Sequence, residues 1–244
     1  MYPVSELIGR LDECFSREDF AGAKALLYEG LEGYLAEGDA LSALSIYNEI
    51  MGFERQYGSN EAAVAAAENA LRLLEERDLS VSRPAAMIVL NAATVYKNAG
   101  REAEARTLYD RAETLFGKYY PAGAKEFAGL YNNRASVYLN PAEYPKAEYY
   151  YTRALQLLRR AGETCDSAVT CFNLAGLYAR WPGREGEALS HAQTGAQLMR
   201  IPEAQRNSYY YYTCRKCAAA CRELGFAALE KEFTERADRF YAGH

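Results

Sequence analysis

Histidine is scarce in this chain: two of its 244 residues are histidines, His191 and His244. The sequence contains no HExxH motif, no nucleophile elbow and no glycine-rich phosphate loop ending in Lys-Ser or Lys-Thr. Its carboxylates are scattered along the chain and do not suggest a pair placed for acid–base chemistry. These absences exclude the common catalytic arrangements, so we expect a protein that is not an enzyme and that needs no cofactor.

Long apolar runs and runs of basic residues are also missing. No apolar run reaches 18 residues, so no membrane span is expected. Acidic residues outnumber basic ones by 33 to 28, and no Lys/Arg run offers a nucleic-acid surface. The opening MYPVSELIGRLDECF carries Glu6, Arg10, Asp12 and Glu13, which interrupt any signal-peptide core. We therefore expect a cytoplasmic protein whose six cysteines are reduced.

Proline occurs seven times, and none of the seven has to lie inside a helix. Pro84, Pro121, Pro145 and Pro202, for example, directly precede stretches in which apolar residues recur at three- and four-residue spacing. No segment alternates with period two for long, and alanine, leucine, glutamate and arginine dominate. The chain is 50% hydrophobic, enough for a large core. These features predict an all-α fold.

The sequence contains an internal repeat. The residues Ala93, Tyr96, Ala105, Tyr109 and Ala112 recur 42 positions later as Ala135, Tyr138, Ala147, Tyr151 and Ala154. One small residue late in each unit recurs every 40 to 42 positions: Gly30, Ala70, Ala112, Ala154, Gly195 and Ala237. This predicts one array over residues 1–244 of six two-helix units, at about 4–37, 40–77, 84–118, 121–161, 165–199 and 203–241.

The residue types within a unit predict how its helices pack. Small side chains let two antiparallel helices approach closely, and Tyr96, Tyr138 and Tyr178 are expected to fill the space beside them. Gly58 and Gly100 follow a first helix, where we expect glycine to adopt the left-handed conformation. Because one pair cannot cover its own apolar face, neighbouring pairs should stack on one another.

The pattern small-x2-Tyr, Gly-x4-Ala-x3-Tyr-x2-Ala resembles the tetratricopeptide repeat (TPR), whose common unit has about 34 residues. The longer period near 42, with the words VLNAATVY, YNNRASVY and CFNLAGLY, is similar to kinesin-light-chain-type repeats. The resemblance implies a right-handed α-solenoid with degenerate first and last units. It also implies a concave groove, lined by the first helix of each unit, that binds a protein or an extended peptide segment.

Asparagines recur in phase on these first helices. Asn91, Asn133 and Asn173 lie five residues before the unit tyrosine, and Asn48 and Asn132 lie one residue earlier in the repeat. Asparagine is a poor residue inside a helix, so its recurrence needs a reason. Its amide can bond the main chain of an extended peptide twice, which makes the ladder a candidate peptide-binding site. The alternative is that each asparagine bonds a neighbouring helix and stiffens the stack.

Charged and aromatic residues complete the candidate site. The same phase places five cations on or near the groove, where they would favour an acidic segment or else form a solvated face: Arg55, Lys97, Arg180, Arg215 and Arg222. Tyr212 belongs to a run of four tyrosines that covers a full helical turn, so part of it faces outward. It could contact a ligand, pack between units or support homo-oligomers.

The spacing of Cys214, Cys217 and Cys221 hints at a metal site, but a stripe of core residues on one face of a helix explains this spacing better.

The leading hypothesis is a peptide- or protein-binding scaffold. Two other functions use the same fold. A regulator could change its pitch when a short peptide binds, or a subunit could assemble with copies of itself through tyrosine-rich faces.

Overall fold

The computed structural model of the protein describes residues 3–202 and 208–242. Over these ranges the chain forms α-helices and one short 3-10 helix, and none of the described residues is in a β-strand. The compact unit Met1–Pro121 contains α1 (Val4–Ser16), α2 (Phe20–Glu37), α3 (Ala40–Tyr57), α4 (Asn60–Glu76), α5 (Arg83–Asn98) and α6 (Glu102–Tyr119). The unit Ala122–His244 contains α7 (Glu126–Ala135), the 3-10 helix Pro141–Glu143, α8 (Tyr144–Ala161), α9 (Thr164–Ala179), α10 (Glu185–Met199), α11 (Ser208–Glu223) and α12 (Ala227–Ala242).

Consecutive helices pack as pairs in both units. In the first unit α1 packs on α2, α3 on α4 and α5 on α6, while α1, α3 and α5 also contact one another in order. In the second unit the pairs are α7–α8, α9–α10 and α11–α12, and α9 contacts both α8 and α11. Stacked helix pairs define an α-solenoid, so the predicted fold class is confirmed. The single six-unit array stays a prediction, and residues 203–207 of its last unit lie outside the described ranges.

The small residues of the repeat lie at contacts between helices that leave little or no room for a larger side chain. A Cβ atom added to Gly30 would lie 2.3 Å from Leu7 Cδ1, and one added to Gly195 would lie 2.9 Å from the Phe172 ring. The alanines at the equivalent positions are fully buried: Ala70, Ala112, Ala154 and Ala237. The prediction that small side chains mark the close contacts is therefore confirmed.

The two glycines that follow first helices differ in their role. Gly100 has a φ of +78°, in the left-handed region that was predicted for it. Gly58 has a φ of −115°, so the same prediction is wrong there. Glycine is required at position 58 for a different reason, which is the room that the Glu54 side chain needs. A Cβ atom on Gly58 would lie 1.7 Å from Glu54 Oε2 and 3.0 Å from Glu54 Cα. Gly58 is needed for space, not for backbone conformation.

The Glu54 carboxylate joins three helices of the first unit. Its side chain is buried in α3, accepts hydrogen bonds from Tyr28 Oη at 2.9 Å and from the Ser59 backbone N–H at 3.2 Å, and pairs with Lys24 Nζ at 2.8 Å. Burial alone would raise the pKa of this carboxyl group, but the bonds from Lys24, Tyr28 and Ser59 together hold the pKa below its usual value. The ionised group thus fixes α2 and the start of α4 against α3.

A second kind of tie combines a tyrosine ring, an arginine that lies over it and a glutamate of the preceding helix pair, and each unit has an example. Arg101 lies 4.1 Å from the ring centre of Tyr96 and pairs with Glu68 of the preceding helix pair at 2.8 Å. In the second unit Arg184 lies 4.5 Å from the ring centre of Tyr178 and pairs with a glutamate of α8 at 3.2 Å. Both tyrosines are buried, as predicted for residues that fill the space beside small side chains. Each tie covers a ring with a cation and links neighbouring pairs.

Cysteines form part of the core of the second unit. Four of them are buried, which confirms the core interpretation: Cys171, Cys214, Cys217 and Cys221. The last three share a hydrophobic cluster with Phe172 and Phe233. Burial raises the pKa of Cys214 to about 11 and that of Cys221 to about 12, so these thiols stay protonated and behave as small apolar groups.

We expect Gly195→Ala to lower the free energy of unfolding by about 1–3 kcal/mol, because the new methyl group would overlap the Phe172 ring. Gly186→Ala is the matched control in the same helix, since nothing lies within 4 Å of its added Cβ atom. That substitution should be neutral or stabilising by up to about 1 kcal/mol. Urea unfolding followed by circular dichroism measures both. Equal effects of the two substitutions would contradict the close contact at Gly195.

We expect Glu54→Gln to destabilise the protein by about 1–3 kcal/mol at pH 7, because Lys24, Tyr28 and Ser59 lose a charged acceptor. Since folding lowers the pKa of Glu54, its contribution is complete above the unfolded-state pKa of about 4.3 and is lost as the pH falls through the lower folded-state value. The stability difference between wild type and variant should therefore shrink below about pH 4. Glu75→Gln, on the exposed side of α4, is the control and should have little effect. A difference that grows in acid would rule out this network.

Candidate peptide-binding surfaces

The first unit has an open groove between its three first helices. Its volume is about 410 Å³, and it is lined by residues of α1, α3 and α5: Val4, Ile8, Leu41, Leu44, Ser45, Asn48, Glu49, Pro84, Met87 and Ile88. Three apolar side chains at its edge remain strongly exposed, with Leu41 at 54%, Met87 at 40% and Ile8 at 38%. The first helices therefore leave apolar surface uncovered after the core of the unit is complete.

Helical spacing explains why these residues share a surface. On α3, Leu41, Ser45 and Asn48 lie about one turn apart, and on α5 Met87 precedes Asn91 by four positions. The opposite faces of both helices are buried in the core. The asparagines thus lie on the stripe that the core does not use, together with the apolar groove residues.

Asn48 and Asn91 join two neighbouring first helices. Asn91 Nδ2 donates to Asn48 Oδ1 at 2.5 Å, and both side chains are half-buried. The Asn48 side chain also lies close enough to the Glu49 carboxylate to lower the pKa of that group. Asn91 retains a carbonyl oxygen without a hydrogen bond to any described residue. The hydrogen bond that the stiffening interpretation requires is thus present for this pair, and the Asn91 carbonyl oxygen is not used by it.

The second unit repeats this arrangement around α9. Asn173 Nδ2 donates to Asn132 Oδ1 at 3.4 Å, and Asn132 Nδ2 donates to Thr170 Oγ1 at 2.8 Å. Asn132 lines a hollow of about 290 Å³ between α7 and α9, and Asn173 lines one of about 480 Å³ that reaches α11. Asn133 is half-buried, and its side chain forms no hydrogen bond with the part of the chain that the structure describes. Asn132, not Asn133, therefore corresponds to Asn48 in the bonded pairs.

The predicted cations are spread over the first helices. Arg180 lines the larger hollow of the second unit, which also contains Glu223. Arg55 is exposed near the end of α3, and Lys97 is half-buried in the last turn of α5. Arg215 is exposed on α11. These positions show where each cation lies, while their role in binding stays a prediction.

Arg222 and Tyr212 have contacts within their own unit. Arg222 Nε pairs with Glu230 Oε1 of α12 at 2.6 Å, so its guanidinium group is directed at the second helix of its pair. Tyr212 is 41% exposed, and its ring lies edge-on to Tyr211 with 5.3 Å between ring centres. A ligand role of Arg222 would require this ion pair to open or to be shared.

Sequence reasoning missed the apolar edge of the first groove and the carboxylate beside it. The available signal was the occurrence of apolar residues one and two turns before both asparagines of the first unit. These are Leu41 and Leu44 before Asn48, and Pro84 and Met87 before Asn91. Glu49 gave no signal, because a single glutamate on a helix is most often solvated.

The structure is similar to two crystal structures of repeat proteins. The structure of BtubC (BKLC) from P. vanneervenii matches with a TM-score of 0.59 and 18% identity, over 93% of this chain and 91% of that chain. A protein from Podosopora anserina with nearly identical TPR-like repeats of the kinesin light chain type matches with a TM-score of 0.56 and 15% identity, over 83% of this chain and 97% of that chain. These similarities show that the chain has a TPR-like fold, as the repeat pattern predicted.

No family model and no characterised protein matches the sequence itself. TPR-like folds generally serve as scaffolds for protein interaction and are not generally enzymatic. Within residues 3–202 and 208–242, no helix is long and apolar enough to cross a membrane. Over the same residues, no group of three or more His, Cys, Asp or Glu side chains is placed to hold a metal ion.

We expect the Asn48–Asn91 hydrogen bond to contribute a coupling free energy of about 0.5–1.5 kcal/mol to folding. A double-mutant cycle with Asn48→Ala and Asn91→Ala measures this coupling by urea unfolding. The matched cycle with Asn48→Ala and Asn98→Ala should be additive, since Asn98 is exposed at the end of α5. Additive effects in the first cycle would show that the pair does not stiffen the stack.

Proposed function

We propose that this protein is an interaction scaffold that holds a protein or peptide segment on the exposed stripe of its first helices. The observation that carries the proposal is the groove of the first unit, where exposed apolar side chains adjoin a bonded asparagine pair. The TPR-like fold supports it, because this fold is generally used for protein interaction. The second unit offers its own hollows around α9 for the same purpose.

Apolar contact would provide most of the affinity in the first unit. A ligand side chain placed between α1, α3 and α5 would cover Ile8, Leu41 and Met87, which water now contacts. Burial of apolar surface contributes about 25 cal/mol per Å², so covering one leucine is worth about 1.5–2 kcal/mol. This term depends on the apolar character of the ligand more than on its sequence.

Asparagine would provide the main-chain contacts. The Asn91 carbonyl oxygen can accept a hydrogen bond from a ligand backbone N–H, and the Asn48 bond holds Asn91 in position for it. In the second unit, the bond between Asn132 and Asn173 would position Asn173 beside Arg180 in the same way. Because the amides are already ordered in the free protein, binding would cost less conformational entropy.

We expect Leu41→Gln to weaken the binding of groove-dependent peptides about tenfold, because the apolar edge of the groove is lost. An array of random dodecapeptides, probed with the labelled full chain, supplies the peptides. Fluorescence polarisation then measures their affinity for wild type and variant. Glutamine is used because an uncharged residue avoids interaction with the dipole of the helix ends.

Leu35→Gln is the matched control for this experiment. Leu35 is 42% exposed, lies in the same unit and belongs to α2, the second helix of its pair. It should leave peptide affinity unchanged. If no peptide binds, or if both substitutions weaken binding equally, the proposed binding surface is wrong.

A further inference from the structure

Glu49 lies at the wall of the apolar groove in the first unit. Of the ten described residues that line this groove, Glu49 carries the charge, and seven others are apolar. Its side chain is exposed, so the carboxylate can be reached from solvent and from the groove. A ligand that fills the groove would therefore meet this carboxylate.

The protein itself does not neutralise Glu49. Among the described residues no lysine or arginine forms an ion pair with Glu49, and the side chain that lowers its pKa is the uncharged amide of Asn48. Partial desolvation raises the pKa of Glu49 and the charge of Asp12 on α1 raises it further, and the opposing effect of the Asn48 side chain does not cancel them. Both effects disfavour the isolated carboxylate, and a ligand cation would relieve them.

Arg55 is the predicted groove cation that shares helix α3 with Glu49. It lies six positions after Glu49 on α3, which corresponds to about 9 Å along the helix axis. At physiological salt this is about one Debye length, so its charge is largely screened at Glu49 when both are exposed. The charged group that acts on Glu49 is thus another carboxylate, that of Asp12.

We propose that the first-unit groove selects a segment that presents an apolar side chain together with a lysine or arginine that pairs with Glu49. This inference rests on the proposed function and names the chemical class of its partner. It differs from the sequence-based expectation of an acidic segment, which was based on cations that lie elsewhere on the first helices. An acidic segment at this position would bring a third carboxylate beside Glu49 and Asp12.

Three dodecapeptide libraries test this inference. They share the same random apolar-rich positions and differ at one fixed central residue, which is Lys, Gln or Glu. Binding to the full chain should be about fivefold tighter for peptides with Lys than for the same peptides with Gln, and weakest with Glu. In Glu49→Gln the preference for Lys over Gln should disappear, and in Glu49→Lys the preference should reverse toward Glu.

The controls separate this inference from the proposed function. Glu29→Gln removes an exposed carboxylate from α2 and should keep the preference for Lys. Peptides that depend on Leu41 but show no preference for Lys would overturn the charge selection and leave the scaffold function standing. If no library yields a peptide that depends on Leu41, the scaffold function fails, and the inference fails with it.

Discussion

The close approach of helices at small side chains is the constraint on which the rest of the structure depends. Gly30 and Gly195 have neighbouring side chains within 3 Å of where a Cβ atom would lie, and alanines occupy the equivalent places elsewhere in the repeat. These contacts bring the two helices of a pair together, and each pair then buries its remaining apolar face on the next pair. The first helices α1, α3 and α5 then lie side by side. Their solvent-facing side forms a groove lined by both polar and apolar residues.

Polar contacts hold neighbouring helix pairs against one another. Glu54 fixes α2 against α3, and Arg101 and Arg184 each join a covered tyrosine to a glutamate of the preceding pair. The asparagine pairs join neighbouring first helices at the open surface, and in the proposed function the same contact would also position an amide for a ligand. Stiffening and binding, which are alternatives when viewed from the sequence, are compatible because an amide has more than one hydrogen-bonding group.

Much of the fold and part of the site could be predicted. Helical periodicity and the recurring small residues predict helix pairs, buried tyrosines and cysteines in the core, and these were found. The pattern could not show that Gly58 leaves room for Glu54, because that contact depends on where the buried carboxylate points. It also treated Asn132 and Asn133 alike, since residues adjacent in sequence differ in direction by about 100° on a helix.

The sequence by itself determined the all-α class, the period near 42 and the asparagine-bearing face of α3, α5, α7 and α9. It could do so because periodicity specifies which side chains share a face. The tertiary structure decided which asparagines bond one another, which cations already have partners and that Glu49 adjoins an apolar groove. These properties depend on the distance and rotation between adjacent helices, which packing of the whole core sets and no local pattern encodes.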